Sequence, residues 1–347
     1  LAAQFFPQEQ KTANLTLTQP LFRGLREFAG LRREDNYFRA QKQTYLSQMM
    51  QLYQDVAQSY MQVLALEQDL KNIEAQQKIY DTRVKDLQGR ARRGESSSTE
   101  ALTAQSTAAA LNAEFQIQTS KLKAARENFA FLTGLPLNVA LDEVVQENAS
   151  ENLKPLETYL ARIEDRPDVK GQKELSEAAD EDVSIARGAH WPTADFVGNY
   201  YLMRPEGLTQ DIKWDIQLRV SLPLFEGGVT QSLVRTAASK YGANQLALNQ
   251  IRRKSETEIK SLHDSVRMRA DQMKYLKLSS DLSEKNYQTL LRDSRRGLVR
   301  SIDVQLGLTE YRSAKRTYDQ ARFEAQLERI RLDLAAAMIP SILTKDL

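Results

Sequence analysis

The sequence predicts a mostly α-helical chain made of two repeats, each a long antiparallel helical hairpin preceded by short β-strands. Three observations predict this fold: turn-forming residues are scarce, one set of motifs occurs twice at a constant offset, and two long segments carry a heptad-like pattern. Gly and Pro, 14 and 9 of the 347 residues, together make up under 7% of the chain. Average proteins contain roughly 12%, so the elements must be long.

The charge balance and the missing cysteines exclude several classes of function. The 48 basic residues balance 46 acidic ones, with a formal net charge of +2, so there is no basic footprint for nucleic acid. A chain without Cys has no disulfide framework, thiolate nucleophile or zinc-ribbon site. His190 and His263 stand alone, so we expect no metal site, no cofactor and no enzyme. No run of 18 apolar residues encodes a transmembrane helix.

One group of motifs appears twice, 203 positions apart. PLFRG at residues 20–24 recurs as PLFEG at 223–227, RRG at 92–94 recurs at 295–297, and STE at 98–100 matches SID at 301–303. Three matches in one register, without a gap, indicate a duplicated unit.

The segment after each PLFxG motif has the composition and period of a long helix. Neither the segment between Gly24 and Gly94 nor that between Gly227 and Gly297 contains Pro, and both are rich in strong helix formers. In the first segment apolar residues recur in steps of three and four, or sums of them, which is typical of a coiled coil. These residues are Met49, Tyr53, Val56, Tyr60, Val63, Leu70, Tyr80, Val84 and Leu87, with Glu67 and Gln77 as polar exceptions. Each helix would be roughly 100 Å long.

A helix-start signal and a shorter returning helix follow each RRG motif. In both copies a Ser opens the sequence STE or SID, and Ser is a favoured N-cap residue. The helical pattern then continues for about 35 residues, to Gly134 in the first copy and Met338 in the second. Each repeat is therefore predicted to be a helical hairpin, with its tip at Gly94 or Gly297.

The segments ahead of the long helices have period two. Residues 214–224 alternate between apolar and polar side chains, residues 14–19 do so more weakly, and a third strand runs from about Thr193 to Met203, ahead of an RPEG turn at 204–207. Such strands suit either a half-buried soluble sheet or a membrane-spanning one. Two or four strands cannot close a barrel within one chain. We therefore expect copies of the chain to pair their edges in a shared β-barrel that continues into a coiled-coil α-barrel.

The repeats define the predicted domain boundaries. Residues 1–136 form the first repeat, 137–166 a linker or equatorial segment, 167–340 the second repeat with a β-hairpin at about 193–225, and 341–347 a C-terminal tail. The second repeat has a helix and a strand ahead of PLFEG that the first lacks. We therefore expect a further helix and strand, and a signal peptide, upstream of Leu1.

The order and spacing of these motifs resemble the TolC family of trimeric outer-membrane channels. The similar parts are the two PLFxG junctions, the Gly-centred tips, LTGLP at 132–136, and RPDV at 166–169 opening the helix that leads to WP at 191–192. The resemblance implies a homotrimer with four transmembrane β-strands per subunit and a periplasmic helical tunnel. It also implies passive efflux or type I secretion across the outer membrane of a Gram-negative-type envelope, with a periplasmic adaptor and an inner-membrane transporter as partners, outer-membrane lipid around it, and no nucleic acid.

The resemblance also implies gating residues near the tips. Asp303 matches an Asp that faces the narrowed periplasmic entrance, where three copies would form a carboxylate ring that favours cations. Thr99 and Glu100 match a polar pair that latches the closed state. The family's latch partners are replaced by Ser294 and Val299, so replacement cations for Glu100 would be Arg295, Arg296 or Arg300.

The tips are also the implied docking site for the adaptor. The glycines of the family's tip pattern are kept here, whereas arginine replaces the apolar residue before each. The candidate docking residues are Arg93, Gly94, Arg296, Gly297, Leu298 and Ser301. Structural roles stay open beside these: the arginines suit helix C-termini capped by Gly, and the acids suit helix N-termini.

Two other functions were weighed against the channel. A soluble coiled-coil periplasmic adaptor or scaffold protein would carry one hairpin inserted in a compact β-domain, whereas this chain has two hairpins in tandem. An enzyme with a helical-bundle core is disfavoured because no His, Cys or carboxylate cluster converges.

Overall fold

The computed structural model describes residues 11–142, 153–205 and 209–338. Its strands are β1 (Ala13–Arg23), β2 (Thr193–Met203) and β3 (Trp214–Ser221). Its α-helices are α1 (Arg26–Arg92), α2 (Ser98–Thr133), α3 (Leu156–Leu160), α4 (Pro167–Arg187), α5 (Val229–Arg295) and α6 (Ser301–Ala335). The predicted tail at 341–347 and the turn residues Glu206 and Gly207 lie outside the described residues.

The predicted mostly helical fold is confirmed. Helices α1 and α5 each contain 67 residues, and α2 and α6 contain 36 and 35. The returning helices end on left-handed positions, Gly134 with φ 71° and Ala337 with φ 52°, which are also 203 apart. The duplication itself stays a prediction. No described helix is both long and apolar enough to cross a bilayer.

Packing divides the chain into two compact units, each drawing on both repeats. The first comprises Leu1–Tyr45 and Pro167–Arg252, and the second Leu46–Arg166 and Arg253–Leu347. The packing units do not follow the sequence repeats, so they do not test the predicted boundaries. The boundaries at 1–136, 137–166 and 167–340 stay predictions.

The first unit contains a three-stranded antiparallel sheet in the order β1-β2-β3. The strand bounds differ between the two PLFxG motifs. Strand β1 extends beyond the predicted 14–19 and includes Pro20 and Phe22, between which the register shifts. Strand β3 ends at Ser221, before the predicted end at Leu224. Pro223 has no N–H to donate to a neighbouring strand. The alternation of apolar and polar side chains therefore continues beyond the end of β3.

The sheet has one apolar and one polar face. Directly opposed residues point to the same side, and the pairing aligns Leu15 with Tyr200 and Trp214, and Leu17 with Gly198 and Ile216. This apolar face is exposed on the described chain; its large side chains are Leu15, Leu17, Phe196, Tyr200, Trp214, Ile216, Leu218 and Val220. On the other face, Thr16 donates to Asn199 at 2.8 Å and Asn199 donates to Asp215 at 2.9 Å.

Ion pairs join the beginning of α1 to α4 within the same unit. Three arginines of α1 meet three acids of α4, in the pairs Arg32–Glu181 at 2.6 Å, Arg33–Asp182 at 3.1 Å and Arg39–Glu174 at 2.8 Å. Helix α4 begins at Pro167, within the RPDV motif predicted to open a helix, and ends at Arg187, before the WP motif.

The second unit contains the hairpin cores, which are apolar within each hairpin. Helices α1 and α2 share two buried clusters, Val63–Ala125–Phe129 and Leu87–Ala101–Ala104. Helices α5 and α6 share Met273–Ala321–Ala325 and the cluster of Ile259, Val266 and Leu332. The two polar exceptions in the α1 heptad pattern also contact α2: Glu67 pairs with Arg126, and Gln77 donates to Asn112 at 2.8 Å.

Candidate functional site

The predicted gating and docking residues lie in the second unit, in the two turns that join α1 to α2 and α5 to α6. Both turns close with the same backbone motif. The Glu95 N–H donates to the Arg90 carbonyl at 2.9 Å, and the Leu298 N–H donates to the Asp293 carbonyl at 3.0 Å. Gly94 and Gly297 occupy the left-handed position with φ 74° and 75°. These are Schellman caps, which glycine forms without strain, so the predicted structural role of both glycines is confirmed.

The first tip carries an ion pair on its surface. Arg93 donates to both carboxylate oxygens of Glu95, at 2.9 and 3.0 Å. The hydrogen bonds from Arg93 lower the pKa of Glu95, and the reciprocal bonds raise the pKa of Arg93. The first tip therefore presents a paired cation, so its surface is less basic than the RRG sequence indicates.

The second tip is apolar where the first is charged. Leu298 stands in the position of Glu95, and 70% of its side chain is exposed. Arg296, beside Gly297, is also exposed. The two turns therefore have the same backbone conformation but expose different side chains.

The start of α2 uses its polar residues as a helix cap. The Ser97 hydroxyl accepts from the Thr99 N–H at 3.2 Å, and the Ser96 hydroxyl donates to the Glu100 carboxylate at 2.8 Å. The carboxylate in the first turn also complements the helix dipole. Thr99 and Glu100 therefore stabilise the helix start within one chain.

Asp303 has the corresponding role at the start of α6. Its carboxylate accepts from the Arg300 N–H at 3.1 Å and from the Arg300 guanidinium at 3.3 Å. Arg300 is the N-cap of α6 and Ser301 its first helical residue, just as Ser97 is the N-cap of α2 and Ser98 its first helical residue. The predicted caps, Ser98 and Ser301, are therefore each wrong by one position. At α6 the Asp303 carboxylate accepts from the Arg300 N–H and stabilises the helix start. Arg300, one of three candidate partners for Glu100, pairs with Asp303 in this chain.

Ser301 connects the two hairpins. Arg83 of α1 donates to the Ser301 carbonyl oxygen and, at 2.8 Å, to the Ser301 hydroxyl. By contrast, Arg93, Glu100 and Asp303 bond within their own loops. The sequence analysis missed Arg83, which adjoins the heptad position of Val84 and reads as an ordinary solvated helix residue.

The described residues hold no group of three or more His, Cys, Asp or Glu side chains arranged to bind a metal ion. The two turns supply hydrogen bonds and charged groups.

Comparison with known proteins gives a family and a fold. Residues 6–135 and 161–338 match the family described as outer membrane efflux protein. The chain is 23% identical over 327 residues to the proteases secretion protein PrtF of Dickeya chrysanthemi. The aligned region covers 90% of this chain and 69% of PrtF. Its fold is similar to the outer membrane protein VceC of Vibrio cholerae, with a TM-score of 0.81, 16% identity, and 94% and 79% of the two chains covered. The CmeC outer membrane channel of Campylobacter jejuni gives a TM-score of 0.77 at 14% identity, with 94% and 70% covered.

Proposed function

Because the chain belongs to the outer membrane efflux protein family, we propose that three copies of it form one channel-tunnel that carries substrates passively out of the periplasm. The chain is an outer-membrane efflux or secretion channel and not an enzyme. Channels of this family work with an adaptor and an inner-membrane pump. The alternative of a soluble adaptor or scaffold is not favoured.

The one-sided sheet is the observation that carries the proposal. Side chains such as Leu17, Ile216 and Leu218 are 58–69% exposed on one face, while the opposite face carries a hydrogen-bonded ladder of polar residues. An apolar face turned to lipid and a polar face turned to a lumen is the pattern of a membrane-spanning strand. In water, an apolar patch of this kind would promote association.

Two further features support assembly from several copies. Strands β1 and β3 each have one edge without a neighbouring strand among the described residues, and open edges require a partner. Helix α1 also exposes a line of apolar residues spaced by three and then seven positions: Phe28, Leu31, Phe38 and Tyr45. Heptad spacing is typical of a surface that packs against another helix, and a neighbouring copy would supply it.

The tips serve two proposed roles. Asp303 from three copies would form the carboxylate ring at the periplasmic entrance, with Thr99 and Glu100 beside it. For the adaptor, the first tip offers the Arg93–Glu95 pair and Gly94, and the second offers Arg296, Gly297 and Leu298, with Ser301 at the helix start. The name of PrtF supports secreted proteases as one substrate class, and the family supports efflux as the other.

The test combines oligomer mass with conductance. The protein is purified in detergent, its mass is measured by light scattering corrected for detergent, and it is then placed in a planar bilayer. We expect a trimer and discrete conductance steps. A monodisperse protein that is monomeric without detergent and gives no steps would contradict the channel and favour the adaptor or scaffold.

A further inference from the structure

Contacts between the two hairpins contain more arginine-mediated polar bonds than apolar clusters. Within a hairpin the helices share buried apolar clusters, such as Leu87–Ala101–Ala104, together with polar pairs such as Arg126–Glu67. Between the hairpins, α6 lies along α1 and α2 through polar contacts, which we call the seam. The seam contacts made by arginines are Arg83 to Ser301, Arg312 to the Asn72 carbonyl oxygen at 3.1 Å, Arg331 to Gln58 at 3.1 Å, and Arg316 to Asp69 and Glu114.

Arg316 makes the most extensive contact of this seam. Its guanidinium lies 2.5 and 2.6 Å from the two carboxylate oxygens of Asp69 on α1, and it also pairs with Glu114 on α2. One side chain of α6 thereby holds both helices of the first hairpin. Only 5% of the Asp69 side chain is exposed, so removing Arg316 leaves a buried carboxylate without its counterion, which costs more than breaking a surface pair.

Polar neighbours extend the contact along α6. Asn72 donates to Asp319 at 2.8 Å, one turn from Arg316. Closer to the tips, one apolar cluster of Tyr80, Leu111 and Leu308 also crosses the seam. Along α6, this cluster therefore lies between Arg316 and the Arg83–Ser301 contact.

The two kinds of contact respond differently when helices separate. Exposing apolar surface costs about 25 cal/mol per Å², whereas a polar group that leaves its partner can bond to water, so the net loss is about 1 kcal/mol for a typical hydrogen bond. Separation along the seam therefore breaks polar contacts and the Tyr80–Leu111–Leu308 cluster, and it leaves the apolar clusters inside each hairpin buried. A buried carboxylate is the exception, because it loses its counterion until water reaches it.

We propose that Arg316 is a positioning residue for channel opening: it holds α6 against both helices of the first hairpin and so sets how readily the hairpins part. The proposal rests on the proposed channel function. Under this proposal a residue in the middle of the hairpins influences opening, in addition to the gating residues predicted at the tips.

Arg269 provides a matched control. It lies 2.5 Å from Glu324 and 3.8 Å from Glu328, so it too holds two carboxylates, and its side chain is 25% exposed compared with 29% for Arg316. All three residues belong to the second hairpin. Arg269→Gln therefore removes a two-carboxylate contact inside one hairpin, and Glu328 keeps its pair with Arg331 at 3.5 Å.

The first experiment records single channels of the full chain in a planar bilayer. For Arg316→Gln we expect the fraction of open time to rise about tenfold, with Arg316→Lys closer to wild type. Arg269→Gln should leave it unchanged, although it lowers thermal stability. Adding Asp69→Asn to Arg316→Gln should reverse part of the rise, because it removes the buried carboxylate that has lost its counterion. An unchanged Arg316→Gln channel, or an equal rise in Arg269→Gln, would overturn the proposal.

A second readout does not depend on conductance. Gln305 of α6 donates to Thr107 of α2 at 3.5 Å across the seam, and the chain contains no Cys. With Thr107→Cys and Gln305→Cys in place, we expect a short thiol crosslinker to react several-fold more slowly in the Arg316→Gln background. An unchanged rate contradicts the seam role. A slower rate in a protein that never conducts supports the role and contradicts the channel function.

Discussion

Gly24 and Gly188 approach each other so closely that neither position has room for a side chain. A Cβ atom on Gly24 would lie 2.2 Å from the Gly188 carbonyl oxygen, and one on Gly188 would lie 2.8 Å from the Gly24 carbonyl oxygen. Gly24 joins β1 to α1, and Gly188 begins the short 3₁₀ turn that joins α4 to β2. The contact therefore fixes the β1–α1 junction against the α4–β2 junction.

The first prediction separates this contact from backbone strain. Gly24 and Gly227 hold the same place in the two PLFxG motifs and both have positive φ, 68° and 57°, but a Cβ on Gly227 would meet nothing within 4 Å. Gly227→Ala should therefore lose only the roughly 1–2 kcal/mol of a left-handed Ala. Gly24→Ala should lose about 1–3 kcal/mol more, because the junctions must move apart. Thermal unfolding in detergent, followed by circular dichroism, measures both, and equal losses would contradict the prediction.

This pair also shows what the sequence could and could not predict. The ends of α1 and α5 lie within two residues of the predicted glycines because left-handed caps and missing prolines are local signals. The close approach of Gly24 to Gly188 is a tertiary contact, and the two PLFxG motifs do not show in sequence that only the first glycine is crowded. Arg83 and Arg316 escaped prediction for a related reason. An arginine on a charged helix is usually solvated, and its partners here are more than 200 residues away in sequence.

The second prediction separates the two roles of Asp303. The carboxylate caps α6 by accepting from the Arg300 N–H, and an amide oxygen can do the same. Asp303→Asn should therefore keep most of the helix stability yet weaken cation preference, since the proposed carboxylate ring would lose its charge. Asp303→Ala should lose both, with about 1 kcal/mol of stability. Reversal potentials in a salt gradient measure the selectivity, and an unaltered value in Asp303→Asn would show that this carboxylate serves only the helix end.

The third prediction concerns pH and Asp69. Burial raises the pKa of Asp69 above its ordinary value of 3.8, although Arg316 opposes the rise. The folded chain therefore binds a proton more tightly than the unfolded chain. The stability from this group is fully present below the ordinary value and is lost as the pH rises through the folded pKa.

Asp69→Asn removes that pH dependence. Its melting temperature relative to wild type should increase as the pH rises from about 3.5 through the window just above the ordinary value. The matched series uses Asp86→Asn, because Asp86 pairs with Arg90 at 3.0 Å on its own exposed helix face. A relative melting temperature of Asp69→Asn that falls with rising pH would mean that Arg316 outweighs burial.

The fourth prediction tests the Arg83–Ser301 contact. Arg83→Gln removes the donor to both oxygens of Ser301, and we expect a loss of about 1 kcal/mol. Ser301→Ala removes one acceptor and keeps the carbonyl oxygen, so its loss should be smaller. Arg90→Gln is the control, since Arg90 pairs with Asp86 one turn away and exposed pairs of this type contribute roughly 0.3–0.5 kcal/mol. Equal melting temperatures for Arg83→Gln and Arg90→Gln would contradict a stabilising inter-hairpin contact.

The last prediction tests the two faces of the sheet with neighbouring residues. Leu218 and Gln217 are consecutive in β3, so their side chains point to opposite faces, and both are exposed in the single chain. On the apolar face Leu218 lies opposite Phe196, and on the polar face Gln217 lies opposite Val197 and donates to Asp215 at 3.2 Å. If the apolar face contacts lipid, Leu218→Lys places a charge in the bilayer, at about 2–4 kcal/mol near the midplane. Gln217→Lys places the same charge beside Asp215 in a polar environment, where it is tolerated.

We therefore expect Leu218→Lys to reduce the amount of protein inserted in outer-membrane fractions several-fold, with Gln217→Lys close to wild type. Equal insertion of both variants would show that this face packs against protein or water, and the one-sided sheet would then no longer support a membrane-spanning strand.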